Sequence, residues 1–324
     1  MAKIAVVTEP HRGNGLGAEL DRALQQRASY GAAGRTSGRL LARGDGWLVE
    51  DVICTSGPAD RPFEEQHTDV SIAIVAAGTF QYRAPTGRAL MTPGSMLLGN
   101  AGHCFECGHE HGSGDRCIAF SYTPEYVQQI AADVGTSANA LTFATPRLPP
   151  LRESAPIVAE ACAGLAESAA VSWEEIAIRL AARVIRLSAG AAHIEADATP
   201  SAVARVTQAV RAIERQPSAR ITLSGLAAEA GLSPYHFLRT FERLTGSTPH
   251  QYILRSRLRE AATRLAIESA KVIDVAFDAG FGDVSNFNRA FRAEFGVSPR
   301  AYRVMAGART SRRRRAPARH QGRQ

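Results

Sequence analysis

One short segment is written twice in this chain of 324 residues, and the repeat narrows what its last third can fold into. The first copy is LAAEAGLSPYHFLRTFERLTGSTP, Leu226 to Pro249. The second is VAFDAGFGDVSNFNRAFRAEFGVSP, Val275 to Pro299. Each begins with small and apolar residues at helical spacing: Leu226, Ala227 and Ala230, then Val275, Ala276 and Ala279. Gly231 and Gly280 follow and permit a sharp turn, because glycine reaches positive φ without a Cβ penalty. Ser233 with Pro234, and Asp283, have the side chains of helix starts. Phe237 and Phe241, like Phe287 and Phe291, are four apart and share one helical face. Gly246 and Gly296 suit the helix ends. Each copy therefore reads as a helix-turn-helix unit. The turn of the second copy holds one extra residue, so the offset grows from 49 to 50.

Between the copies, HQYILRSRLREAATRLA (250–266) reads as one helix. Seventeen helical residues span about 25 Å, a length suited to holding two recognition helices near one DNA turn apart, about 34 Å. Residues 200–324 hold 22 Lys/Arg and 9 Asp/Glu, a net +13, whereas residues 1–199 carry −6. That asymmetry points to a polyanionic partner for the C-terminal part alone. With the Phe pairs inward, Tyr235, His236, Leu238 and Arg239 are directed outward or sideways, as are Ser285, Asn286, Asn288 and Arg289. The final ARTSRRRRAPARHQGRQ reads as a disordered basic tail that adds non-specific attraction to DNA.

With these motifs, residues 201–303 resemble the DNA-binding domain of AraC/XylS-type transcriptional regulators. GFGDVSNFNRAFRAEFGVSP and RSRLREAATRLA carry the likeness most specifically. The resemblance implies that Tyr235, Leu238 and Arg239, and Ser285, Asn286 and Arg289, read bases in double-stranded DNA. Leu238 stands where the family often has a polar residue, and it suits a thymine methyl group. The resemblance also implies a cupin-like N-terminal sensor, a small-molecule effector of unknown identity, homodimers and contact with RNA polymerase.

The N-terminal half agrees with an α+β chain. From about Leu40 to Tyr122, short apolar runs such as GWLVEDVICT and RCIAFSYT alternate with turn residues, as in a β-barrel or sandwich. From Pro124 the apolar spacing turns helical, as in VSWEEIAIRLAARVIRL. These helices form either a dimer surface or a layer packed on the strands. The expected division is an uncertain segment 1–36, a cupin-like barrel 37–123, a helical connector 124–190, a linker 191–200, an all-α double helix-turn-helix domain 201–305 and a tail 306–324.

Five unevenly spaced cysteines argue against a disulfide framework and for a reducing cytoplasm. No apolar run approaches the roughly 20 residues of a membrane span, and the apolar run of the first residues is too short for a signal peptide. No cofactor motif and no nucleophile elbow are present. The stretch GHCFECGHEHGSGDRC (102–117) is the one most loaded with chemistry. Cys104, Cys107, His109, His111 and Cys117 offer ligand spacings suited to zinc or a similar soft metal. Oxidation of Cys104 and Cys107 to a disulfide is a second reading, and a glycine-rich connection with buried thiols is a third. The rival from another class is a metal-dependent cupin enzyme fused to a DNA-targeting module. Cupin enzymes use an early His-x-His, a following Glu and a later His. Here His109-x-His111 falls late and lacks that Glu, and His67 has no histidine two residues on, so no catalysis is expected.

Overall fold

The computed structural model describes residues 15–136, 142–166, 171–188 and 198–315. Its strands follow from the apolar runs: β1 (Thr36–Gly44), β2 (Trp47–Cys54), β3 (Phe63–Gln66), β4 (Val70–Gly78) and β5 (Phe80–Ala84). Then come β6 (Gly87–Met91), β7 (Met96–Gly99), β8 (Cys104–Gly108), β9 (Asp115–Tyr122) and β10 (Arg147–Leu148). They pair antiparallel in two sheets, ordered β1-β2-β9-β4-β7-β10 and β3-β8-β5-β6. Both sheets are open, so the expected closed barrel is corrected to two facing sheets. The break lies where β4 leaves the larger sheet. Its register with β9 shifts between Val75 and Ala77, and Gly78 (φ 77°) turns the chain towards β5 in the other sheet. A bulge followed by a turn bends the strand out of one ladder before it enters the next.

The larger sheet is covered on both faces. Along β4, Ile72, Ile74 and Ala76 join a core shared with helices, whereas Ala73 and Val75 join the core between the sheets. This is why β4 reads as an unbroken apolar run rather than an alternating one. The helical face is supplied by α1 (Gly15–Tyr30), α2 (Pro124–Asp133), α3 (Ala155–Gly164) and α4 (Trp173–Ser188). In α4, Ile176, Leu180 and Val184 recur every four residues and are fully buried, each worth about 1.5–3 kcal/mol. The Tyr122 hydroxyl donates to Ala177 O at 2.8 Å. The apolar face of α4 is thus occupied within the chain and not free for a dimer. Helix α1, in the segment the sequence left unread, buries Leu16 and Leu20. Buried Arg116 anchors it by donating to Leu16 O (3.1 Å) and bidentately to Asp51 (2.8 and 2.9 Å). Burial opposes ionisation of Asp51, yet its bonds to Arg116 hold its pKa below the usual carboxylate value.

The C-terminal region is all helix: α5 (Pro200–Arg215), α6 (Leu223–Glu229), α7 (Pro234–Thr245), α8 (Pro249–Ile267), α9 (Val272–Asp278), α10 (Val284–Phe295) and α11 (Pro299–Arg315). Helix α11 runs ten residues, 306–315, into the stretch expected to be a disordered tail from 306. Arginine is a good helix former, and the next proline in the sequence is Pro317. Residues 191–197 of the expected linker and 316–324 of the tail lie outside the described residues. No described helix is long and apolar enough to cross a membrane.

Arginines join the two regions. Arg147 in β10 donates to Leu90 O (2.9 Å) in β6 and to Leu244 O (2.7 Å) in the last turn of α7. Burial lowers its pKa to about 10. Arg255 and Arg259 in α8 donate to Pro150 O (2.6 Å) and Pro93 O (3.3 Å). Arg211 in α5 donates to Thr79 Oγ1 (3.2 Å) and Ser113 O (2.5 Å).

Candidate nucleic-acid interface

The two helix-turn-helix units are built by matching local chemistry. Thr222 caps α6 through Gly225 N–H (3.1 Å). The chain then turns at Gly231 (φ 63°), and Ser233 caps α7 through His236 N–H (3.3 Å). In the second unit Gly280 (φ 85°) makes the turn and Asp283 caps α10 through Asn286 N–H (2.7 Å). Such caps are worth about 1 kcal/mol each. Phe237 and Phe241, and Phe287 and Phe291, are fully buried.

That inward packing leaves one face of each second helix open. On α7, Tyr235, His236 and Arg239 are exposed and Leu238 is half-buried. Arg239 donates to the Tyr235 hydroxyl (3.2 Å), and its guanidinium lies 5.8 Å from the centre of that ring. On α10, Ser285, Asn286, Asn288 and Arg289 are all exposed, and Arg289 donates to Asn286 Oδ1 (3.1 Å). Arginine and asparagine side chains match the base edges of the major groove. The eight residues expected from the sequence therefore lie on two faces, one per unit, exposed and polar except for half-buried Leu238.

Helix α8 holds the units together. Tyr252 and Ile253 belong to the core of the first unit, and Leu258, Ala261, Ala262 and Leu265 to that of the second. Its 19 residues span about 28 Å. Arg257, which sequence reading did not single out, adds a direct tie. It donates to Pro217 O (2.7 Å) and Ala219 O (2.9 Å) before α6, and to Gly280 O (2.9 Å) in the second turn. Burial lowers its pKa. The sequence signal was an arginine on a helix buried on most sides, which needs partners inside.

The Cys/His stretch is not gathered as its spacing suggested. Cys104 is exposed and Cys107 buried, since residues three apart on β8 leave opposite faces. Both are free thiols, so the strand geometry separates rather than joins them. Cys117 lies buried on β9 in the other sheet, and half-buried His111 stands 3.9 Å from Glu110. His109 instead bonds Asp115 (2.6 Å), with Cys54 beside them. Burial would lower the His109 pKa, but the hydrogen bond to Asp115 first and the neighbouring Cys54 thiol second outweigh it and raise it to about 9. His67, the other candidate ligand, is taken up by Tyr82 Oη (2.9 Å) and stacked on Phe105 at 4.1 Å.

A helix-turn-helix domain family matches residues 226–305. The chain is 34% identical over 92 residues to the HTH-type transcriptional activator AarP of Providencia stuartii, covering 68% of that protein and 28% of this one. This chain belongs to the AraC/XylS-type regulators. Its matched region is the helix-turn-helix domain that these regulators share. It is also 42% identical over 102 residues to the transcriptional activator NphR of Rhodococcus sp, and 37% identical over 100 residues to the activator RhaS of Klebsiella pneumoniae (strain 342). Those alignments take in 30% and 31% of this regulator but only 29% of NphR and 36% of RhaS. Among solved structures, the DNA-binding domain of AdpA in complex with a target DNA is 30% identical over 35% of this chain and 98% of that one, with a TM-score of 0.32.

Proposed function

We propose that this regulator activates transcription by placing α7 and α10 in two successive major grooves on one face of DNA. The observation that carries the reading is the pair of exposed polar faces, Tyr235 to Arg239 and Ser285 to Arg289, whose separation is held by α8 and Arg257. The relatives NphR, AarP and RhaS are named as activators, which favours activation over repression here. The sheet-rich region acts as a cupin-like sensor for a small-molecule effector. A cavity of about 290 Å³ between α1, the end of β4 and α5 supports this, because Leu20, Thr79, Val210 and Arg211 line it from both regions. An effector there changes DNA binding only if it prefers one docking state of the regions over another. Homodimers in the cytoplasm that contact RNA polymerase complete the proposal.

The test is selection of bound sequences from random duplex DNA by the purified full chain. Arg239→Ala and Arg289→Ala should each relax base preference at a separate position, about one helical turn apart, by about 1–3 kcal/mol of discrimination. Unchanged preference in both variants defeats the reading. A uniform loss of affinity across sequences would assign the two arginines to phosphates instead.

A further inference from the structure

The antiparallel pairing of β2 with β9 sets Cys54 directly opposite Asp115. The connection from β8 to β9 folds back over that pair, and His109 in it reaches Asp115 Oδ1 at 2.6 Å. The Cys54 sulfur, a ring nitrogen of His109 and a carboxylate oxygen of Asp115 all lie within 4.8 Å of one another. The Cys117 sulfur stands 3.3 Å from Asp115 Oδ2. Cys54, His109, Asp115 and Cys117 are 3%, 5%, 5% and 6% exposed.

Without an ion, buried Asp115 is compensated by its bond to His109; a bound divalent ion takes over that role and leaves His109 neutral. Among the described residues, no Lys or Arg side chain bonds Asp115. Buried His109 Nδ1 has no hydrogen-bond partner. We propose that Cys54, His109 and Asp115 bind one zinc-class divalent ion, with the Cys117 thiol beside the remaining position. One thiolate, one carboxylate and one neutral imidazole cancel the charge of a divalent ion, which lets the group sit in a dry interior. Mixed sulfur, nitrogen and oxygen donors select zinc and exclude magnesium and calcium, which take oxygen alone.

The ion has a structural consequence. It joins the end of β2, the start of β9 and the β8–β9 connection at one point. Ser113 O and Gly114 O in that connection accept hydrogen bonds from Arg211 of α5. The site therefore lies two residues from the seat of the DNA-binding region on the sheets.

The full chain, reduced and incubated with zinc chloride, should retain close to one zinc per chain after gel filtration. Cys54→Ser and His109→Gln should each weaken zinc affinity at least as much as losing an outer-shell partner does, about 10–100-fold. Cys104→Ser and His111→Gln, outside the cluster, should leave it unchanged. Absence of stoichiometric zinc overturns the proposal, as does undiminished affinity in both cluster variants or loss of zinc in either outside variant. If a cluster variant fails to fold, cobalt(II) decides the matter in a chain carrying both outside substitutions. Thiolate-to-cobalt charge-transfer absorption supports the site, and its absence overturns it.

Discussion

Gly246 and Gly296 occupy the same place in the two units, directly after α7 and α10, with φ of 78° and 76°. Alanine at either must adopt a left-handed backbone, which costs about 1–2 kcal/mol. Stiffening of the unfolded chain returns about 0.4–1 kcal/mol of that. Gly296→Ala should therefore destabilise by roughly 1 kcal/mol, since a Cβ there meets nothing within 4 Å. A Cβ on Gly246 would lie 2.4 Å from Pro149 Cβ and 2.9 Å from its Cγ. Pro149 is a rigid ring directly after β10, and β10 is held to α7 by the Arg147 bond to Leu244 O and to β6 by its bond to Leu90 O. The contact must open by more than about 1 Å to reach ordinary carbon separation, and overpacking of that kind costs about 1–3 kcal/mol. Gly246→Ala should thus cost about 1–3 kcal/mol more than Gly296→Ala. Hydrogen exchange of α7 and α10 in the full chain, alongside urea unfolding, measures both. In a Pro149→Gly background, which removes the ring atoms, the excess should vanish, as a coupling between neighbours requires. Equal costs for the two alanines, or an excess that survives Pro149→Gly, would refute the seating of α7 against the sheets.

Two further outcomes follow from buried groups. His67 has its pKa lowered to about 4, by burial first and the neighbouring His103 charge second, so between pH 6.5 and 4 the unfolded chain binds a proton that the folded chain does not. Its contribution is complete above pH 6.5 and falls as the pH drops, by about 2 kcal/mol at pH 5; urea unfolding at pH 7.5 and 5 should show this slope reduced in His67→Gln. Arg257→Met removes three hydrogen bonds from a charged donor, each worth about 1.5–3 kcal/mol at most and not additive. It should destabilise the C-terminal region by at least about 2 kcal/mol and broaden the spacing tolerated between the two half-sites in selected DNA, whereas unchanged spacing would remove the tie between the units.

Much of the DNA-facing region was open to sequence reading because its determinants are local. A cap acts within three residues, a glycine stop within one turn, and a Phe pair at four-residue spacing chooses the inward face. Those rules, applied twice, leave Tyr235, Arg239, Asn286 and Arg289 outside whatever the rest of the chain does. The same rules treat Gly246 and Gly296 as equals. Only the packing of β10 places Pro149 against the first of them. Strand pairing is likewise a long-range choice. Cys104 and Cys107 look joined by spacing, but the pleat sends them to opposite faces, whereas Cys54, fifty-five residues before His109, arrives beside it through the register of β2 with β9. That the region is rich in strands was readable from apolar runs, but the closure of the sheets was not. It turned on a shifted register after Val75 and a left-handed Gly78. Local sequence sets the backbone of each element, and the partners it meets are decided where distant segments compete for the same buried surface.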